Sequence, residues 1–385
     1  MSYAARARRR LAEGLHRDGV LTDTRWLAAF RQVPRHAFVP RFFVPSGSRW
    51  AAVSVEDDGA LGTVYSDAVL VTQLDDDLSR WELARRDGPV PGTPTCSSSM
   101  PGIMAVMLEQ LLVASGSRVL EIGTGTGYNT ALLCERLGSA HVYTVDIDPG
   151  LAALAGATLR RLGYQPRGEA ADGEHGLPRG APYDRVLCTC AVSRIPPAWL
   201  EQTRQGGLIV TTLNRPIGAG LLRIVVGTGA TGTGRVLGWD GRFMPLRAHR
   251  IADPVEAVGR GTVASTRTAL PLTTVLSPAS RFEFFAGLTL ADVTTVPDPD
   301  DPDRSCLVHA DGSWARQRGR NGRFEVEQGG PRRLWDLVEA AYDQWRTLGE
   351  PERTDFGVTV TGERQEFWLR EPESTHRWPL TTPAS

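Results

Sequence analysis

Lysine is absent from this chain: all 43 basic residues among its 385 positions are arginine. Schiff-base catalysis, a pyridoxal anchor and the phosphate-gripping lysine of a Walker loop are therefore excluded. An excess of one charge is missing too. With 44 acidic residues the net charge is −1, so no global field draws the molecule to nucleic acid or to an anionic membrane. Cysteine is scarce. The five thiols (Cys96, Cys134, Cys188, Cys190, Cys306) make no even framework, and Cys188-Thr189-Cys190 is spaced more closely than zinc pairs are, so structural thiols and no metal are expected. No apolar run approaches a membrane span, and no signal-peptide core follows the arginine-rich N-terminus. These absences point to a cytoplasmic compartment.

The length leaves room for two or three domains, and the text divides at about 98 and 220. Within the segment 1–98, residues 3–16 favour a helix whose start is crowded by Arg6, Arg8, Arg9 and Arg10, and TRWLAAFRQV predicts a second. Residues 45–98 read as loop, with a solvated acidic run at Asp75, Asp76 and Asp77. From 99 to 220 the pattern turns regular. Ser99 stands where a serine caps a helix and Pro101 fits its first turn. SRVLEI, HVYTVD, RGEAAD, YDRVLCTC and GLIVTTL read as strands. YNTALLCERL, closed by Gly138, and the helix opened by Asp148-Pro149 lie between them, the latter with Leu151, Leu154, Ala155, Leu159 and Leu162 on one face. Strands alternating with helices predict a doubly wound, parallel α/β sheet of Rossmann-like kind. The segment 221–385 predicts an α+β extension. It has strand-like runs at 221–240, an ambiguous stretch at 251–295, a polar loop DPDDPD, a helix RRLWDLVEAAYDQWRTLG and a hairpin FGVTVTGERQEFWLR.

The strongest signal is VLEIGTGTGYNT at 119–130. Gly123, Gly125 and Gly127, with Thr124 among them, permit a tight turn and let a ligand approach the N–H groups of a helix start. A dinucleotide fingerprint would carry glycine where Tyr128 stands, and Glu121 would repel a pyrophosphate. That carboxylate suits a ligand bearing positive charge. Asp146, 19 residues past Gly127 at the next strand's end, is placed to accept both hydroxyl protons of a ribose. Asp172-Gly173 follows the third strand, where an adenine amino group would lie. A nucleoside pocket with a cationic far end describes S-adenosylmethionine as cofactor and S-adenosylhomocysteine as its product; turn glycines and caps are the plainer alternative.

VLEIGTGTGYNT, VYTVDID, LGYQPRGEAADGEHGLP, APYDRV and IPPAWLEQTRQGGLIV, with VPRHAFVP and VYSDAVL upstream, resemble the protein L-isoaspartate (D-aspartate) O-methyltransferases over about residues 20–215. The resemblance implies a class I S-adenosylmethionine methyltransferase fold. It implies that Glu121 to Gly127 and Asp146 hold the methionine and ribose parts of the cofactor, and Asp172 with Gly173 the adenine. It implies that Ser99, in SSSMP, is the active-site serine of the family's T-I-S-x-P motif. Two departures fall on the substrate side. Ser97 and Ser98 replace the threonine and isoleucine, after an inserted loop over about 74–95, and the segment 221–385 extends beyond what a repair enzyme needs. CTCAVSRIPPAWLEQTRQGGLIV, GRFMPLRAHR and the tail from GGPRRLWDLVEAAY to FGVTVTGER are similar to actinobacterial relatives that accompany ATP-grasp ligases in ribosomal peptide (graspetide) maturation. That likeness implies a precursor peptide, previously crosslinked by such a ligase, as the partner. It also implies methylation of an aspartate side chain, leading to aspartimide and then isoaspartate.

Methyl transfer to a carboxylate needs little acid–base help, because the acceptor is ionised at neutral pH and a sulfonium methyl is already activated. Ser99 is then expected to orient the acceptor carboxylate, with Ser97 and Ser98 as substitutes and Arg194 and Arg215 as candidate grips for peptide carboxylates. A tailoring methyltransferase, a general isoaspartate repair enzyme, a lanthipeptide-tailoring homologue and a non-catalytic cofactor-binding scaffold are the competing readings.

Overall fold

The computed structural model describes residues 2–250, 258–259, 263–290, 293–320, 322–362 and 364–380, so some of the ambiguous stretch at 251–295 lies outside the described residues. The chain forms two compact units. The first takes in the chain up to Cys190 with Pro196–Thr211 and Val225–Ala230; the second takes in Ala191–Ile195, Thr212–Ile224 and Thr231 onward.

The first unit opens with helices α1 (Tyr3–Arg17), α2 (Thr24–Gln32) and α3 (Arg35–Phe38). Strands β1 (Arg41–Ser46) and β2 (Arg49–Ser54), helix α4 (Ala60–Val64), strand β3 (Leu70–Leu74), helix α5 (Arg80–Asp87) and strand β4 (Pro94–Ser98) follow. The four strands make one antiparallel sheet in the order β2-β1-β3-β4. The loop expected over 45–98 is thus a folded layer. Its strands are too short and too interrupted by turns to show a period, while α5 buries Trp81 and Ala84 against Phe43, Val71, Leu74 and Val90. Asp75 and Asp76 of the acidic run sit at positive φ in a turn, where Asp75 accepts the Thr93 N–H.

Helix α6 (Pro101–Gln110) is buried from Pro101 through Leu108, as befits a helix apolar on every side. Strand β5 (Val119–Ile122), helix α7 (Tyr128–Leu137), strand β6 (Val142–Asp146), helix α8 (Pro149–Arg161), strands β7 (Arg167–Ala170) and β8 (Tyr183–Val192) and helix α9 (Pro197–Glu201) then alternate. Strands β8-β5-β6-β7 pair in parallel, as the alternation predicts. Gly138 closes α7, and Asp148 caps α8 by accepting the Gly150 and Leu151 N–H groups. Leu151, Ala155 and Leu159 form the buried stripe of α8; Leu154 lies off it and is exposed, and Leu162 is half-buried at the C-cap.

The next strands in the chain are β9 (Thr203–Leu213), β10 (Leu221–Val226) and β11 (Gly232–Val236). In the second unit come β12 (Ala264–Thr268), helices α10 (Leu272–Leu276) and α11 (Glu283–Thr289), strands β13 (Val293–Asp298), β14 (Asp301–His309), β15 (Trp314–Arg320) and β16 (Arg323–Gly329), helix α12 (Leu334–Thr347), and strands β17 (Phe356–Val360), β18 (Gln365–Leu369) and β19 (Arg377–Pro379). The order β12-β16-β15-β14-β13 is antiparallel throughout, and β17 and β18 pair as the expected hairpin. DPDDPD is not a polar loop. It supplies the end of β13, the turn and the start of β14. Phe282, Phe284, Phe285, Phe356, Phe367 and Trp378 build an aromatic core in this unit.

Candidate active site

The site lies in the first unit, at the carboxyl end of β5 where open α/β sheets hold ligands. The chain leaves β5 through Gly123, Gly125 and Gly127, all at positive φ, and re-enters helix at Tyr128. The Val145 carbonyl accepts the Gly123 N–H at 2.8 Å, and Asp146 Oδ2 accepts the Gly125 N–H at 2.7 Å. A Cβ on Gly123 would stand 2.7 Å from Thr189 Oγ1 and 2.8 Å from Cys190 Sγ, so the loop is pressed onto β8. Gly173 is equally constrained, since a Cβ there would meet Ile122 Cγ2 at 2.4 Å. Asp172 spends Oδ1 on the Glu174 N–H and leaves Oδ2 without a partner among the described residues.

The Glu121 carboxyl is fully buried beneath the loop, where Asn129 Nδ2 donates to Oε1 at 2.8 Å and Thr130 Oγ1 and Thr144 Oγ1 donate to Oε2, the latter at 2.7 Å. Burial pushes this carboxyl up to about 7, against the lowering by its three donors. Thr124 is buried as well, its Oγ1 paired with Thr144 Oγ1 at 2.6 Å. Glu121 and Thr124 therefore brace β5, β6 and α7 against one another, which a strand-end position in the sequence does not reveal.

The serine run that the resemblance assigns to the acceptor side lies at the end of β4. A Cβ on Gly125 would lie 3.6 Å from Cys96 Sγ and 3.8 Å from the Ser97 carbonyl oxygen, which places the end of β4 beside the glycine loop, with Ser99 following directly. Ser99 is not the cap of α6. Met100 holds that position without a capping side chain, and Asp67 Oδ1 instead accepts the Gly102 N–H at 2.6 Å. Ser99 is half-buried and its hydroxyl makes no hydrogen bond among the described residues, while Ser98 is buried with its hydroxyl held by Arg35.

Arg35 and Asp67 are the residues that sequence reasoning missed. Arg35 is fully buried, and its guanidinium spans Val64, Ser66, Ala68, Ser98 and Ser99. Burial lowers its pKa to about 10, so it stays charged at neutral pH. The available signals were an arginine enclosed by apolar residues in VPRHAFVP and an aspartate in VYSDAVL. The two candidate grips belong to the second unit. Arg194 is half-buried, and Arg215 is almost wholly buried, with Nη1 donating to the Gly287 carbonyl at 3.0 Å and Cζ 5.0 Å from the Phe367 ring centroid. Arg215 thus packs against an aromatic core.

The family model of the protein-L-isoaspartate(D-aspartate) O-methyltransferases matches residues 6–225, more than half of the chain. The chain belongs to this family. It is similar to the protein-L-isoaspartate O-methyltransferase of Pyrobaculum arsenaticum, 31% identical over 56% of this chain and 89% of that protein. The corresponding figures are 31% identity, 65% and 87% for protein-L-isoaspartate O-methyltransferase 2 of Shewanella sediminis. For the protein-L-isoaspartate O-methyltransferase of Ignicoccus hospitalis they are 36% identity, 38% and 70%. A solved protein-L-isoaspartate O-methyltransferase shares the fold with a TM-score of 0.53 at 20% identity, covering 94% of this chain and 100% of its own. That coverage reaches into 221–385, so the shared fold is not confined to the part of the chain before that segment.

As a member of the family this O-methyltransferase uses S-adenosylmethionine. The residues present fit that cofactor: three positive-φ glycines turn the loop at the start of α7, Gly127 leaves that helix start without a capping side chain, and carboxylates stand at the ends of β6 and β7. Among the described residues no helix is long and apolar enough to cross a membrane.

Proposed function

We propose that this methyltransferase modifies an aspartate side chain in a ribosomally made precursor peptide previously crosslinked by an ATP-grasp ligase. What supports the reading is the folded segment ahead of Ser99, which the resemblance takes as an insertion on the acceptor side. The insertion ahead of Ser99 is a folded element, with α5 packed on the β1–β4 sheet through Trp81 and Arg85 gripping Asp57 through two hydrogen bonds. An ordered addition in the segment leading to Ser99 is what a bulky, ring-bearing peptide would require.

In this reading Gly123, Gly125 and Gly127 give the cofactor backbone contact, Asp146 accepts from its ribose, and Asp172 with Gly173 meets its adenine. When bound, S-adenosylmethionine supplies an electrophilic methyl group on a sulfonium. Ser99, its hydroxyl uncommitted, donates to one oxygen of the acceptor carboxylate and aims the other in line. No general base is needed, since the carboxylate carries no proton to remove. The methyl ester product then has methoxide as leaving group. Attack by the next residue's backbone nitrogen closes the aspartimide and releases methanol without an enzyme group, and water opens the ring to isoaspartate.

Repair of isoaspartyl residues in damaged proteins is the second reading, favoured by the coverage of a solved protein-L-isoaspartate O-methyltransferase into the C-terminal segment. The test incubates the full chain and S-adenosylmethionine with a linear isoaspartyl peptide and with a crosslinked precursor peptide, and follows mass. Methyl gain then methanol loss on the crosslinked peptide alone is expected. Equal turnover of any isoaspartyl peptide replaces tailoring with repair.

A further inference from the structure

We infer that Arg35 is a positioning residue for methyl transfer, fixing the Ser98–Ser99 backbone so that the Ser99 hydroxyl is presented beside the glycine loop; this rests on the role given to Ser99 above. An arginine with none of its surface exposed is costly to bury unless every donor is satisfied. Here no carboxylate serves it by hydrogen bond. Its Nε donates to Ser98 Oγ at 3.3 Å, its Nη1 to the carbonyls of Val64 at 2.9 Å and Ser66 at 3.2 Å, and its Nη2 to those of Ala68 at 3.0 Å, Ser98 at 3.3 Å and Ser99 at 3.0 Å. A planar five-donor fork can reach acceptors on two chain segments at once, which a lysine ammonium cannot.

The arrangement is directional. Arg35 pulls on the carbonyls at the end of β4, while the loop 64–68 that it also holds returns Asp67 to the Gly102 N–H, on the other side of Ser99. The loop is fixed in turn by Tyr65, whose hydroxyl lies 2.6 Å from His36 Nδ1. On its remaining side the guanidinium carbon stands 5.9 Å from the ring centroid of Tyr128, the first residue after the glycine loop. One side chain therefore sets the register between the serine segment and the start of α7. Ser99 itself contributes only its carbonyl to this network, so its hydroxyl stays available while its backbone does not wander.

The experiment compares Arg35→Lys, Ser98→Ala and Ser99→Ala with the wild-type chain. It reads amide hydrogen exchange over 96–102, S-adenosylhomocysteine affinity by calorimetry, and kcat and KM on whichever of the two peptides above the wild type methylates. Arg35→Lys keeps the charge and loses the fork; exchange at 98–100 should rise about tenfold and kcat fall about thirtyfold, with KM and cofactor-product affinity within about threefold. Ser98→Ala removes a single acceptor and should move exchange and kcat the same way by about threefold, which keeps the test available if Arg35→Lys does not fold. Unchanged exchange, unchanged kcat, or cofactor-product affinity falling in step with kcat overturns the positioning role. Wild-type turnover by Ser99→Ala overturns the role of Ser99 instead, and is seen independently of the exchange result.

Discussion

The two sides of the site are built by opposite strategies. The cofactor side is largely local: a dozen consecutive residues at 119–130 supply the strand, the turn, the helix start and the buried acid Glu121, and Asp146 joins them from the end of the next strand. The acceptor side is assembled from residues far apart in the chain. Arg35, the loop 64–68 and the run 98–102 meet through bonds that span up to 64 positions. A turn built from glycines is specified by backbone conformation, which the sequence displays directly. A buried cation serving carbonyls is specified by tertiary folding, which no short window displays.

The cofactor side should be the more brittle under a single small substitution. Gly123 combines φ +91 with side-chain atoms of Thr189 and Cys190 within 2.8 Å of where a Cβ would sit. Gly123→Ala should therefore lower stability by about 3 kcal/mol and weaken S-adenosylhomocysteine binding about a hundredfold, read by thermal melting and calorimetry. A variant that binds normally would mean that the loop yields to a side chain and is no more brittle than the acceptor side.

Glu121 sharpens the contrast through pH. Its folded carboxyl titrates near 7 while the unfolded chain titrates near 4.5, so the folded state holds the proton more tightly. The stability this confers is complete below about 4.5 and is lost as pH rises through about 7, a change of about 3 kcal/mol. Urea unfolding of wild type and Glu121→Gln across pH 4.5–8 should show the wild type losing ground to the variant over that window and running parallel above it. A constant difference would show that the carboxyl is not raised, and that its three donors outweigh burial.

What was legible follows the same division. The alternating strands and helices of 99–213, the Gly138 and Asp148 caps and the hairpin around FGVTVTGERQEFWLR all rest on local period and turn chemistry. The β1–β4 sheet was not legible, because its pairs are antiparallel, short and interrupted, with β4 shifting register against β3 at Gln73. Ser99 was legible as a position but not as a geometry: its proximity to Met100 and Pro101 suggested a cap, yet Asp67, from another segment, took the vacant N–H. The burial of Glu121 was hidden for a related reason. A carboxylate at a strand end can face out or in, and only Asn129, Thr130 and Thr144 together draw it inward.

The smallest expected effect concerns the joint between the two sides. Gln73 is buried in β3 at that register shift, its Oε1 accepting from Thr95 Oγ1 at 3.0 Å and its Nε2 donating to Asp148 Oδ2 at 3.0 Å. Asp148 meanwhile spends Oδ1 on the Gly150 and Leu151 N–H groups at the start of α8, so one carboxylate serves a cofactor-side helix and an acceptor-side strand. If the sides are mechanically independent, Gln73→Ala and Asp148→Ala should add. If the shared carboxylate couples them, Asp148→Ala should cost about 2 kcal/mol, Gln73→Ala about 1, and the double variant should fall short of the sum by about 0.5–1 kcal/mol. Strict additivity in urea unfolding would leave the glycine loop's contact with the end of β4 as the link between the two sides, and would place the burden of their register on Arg35.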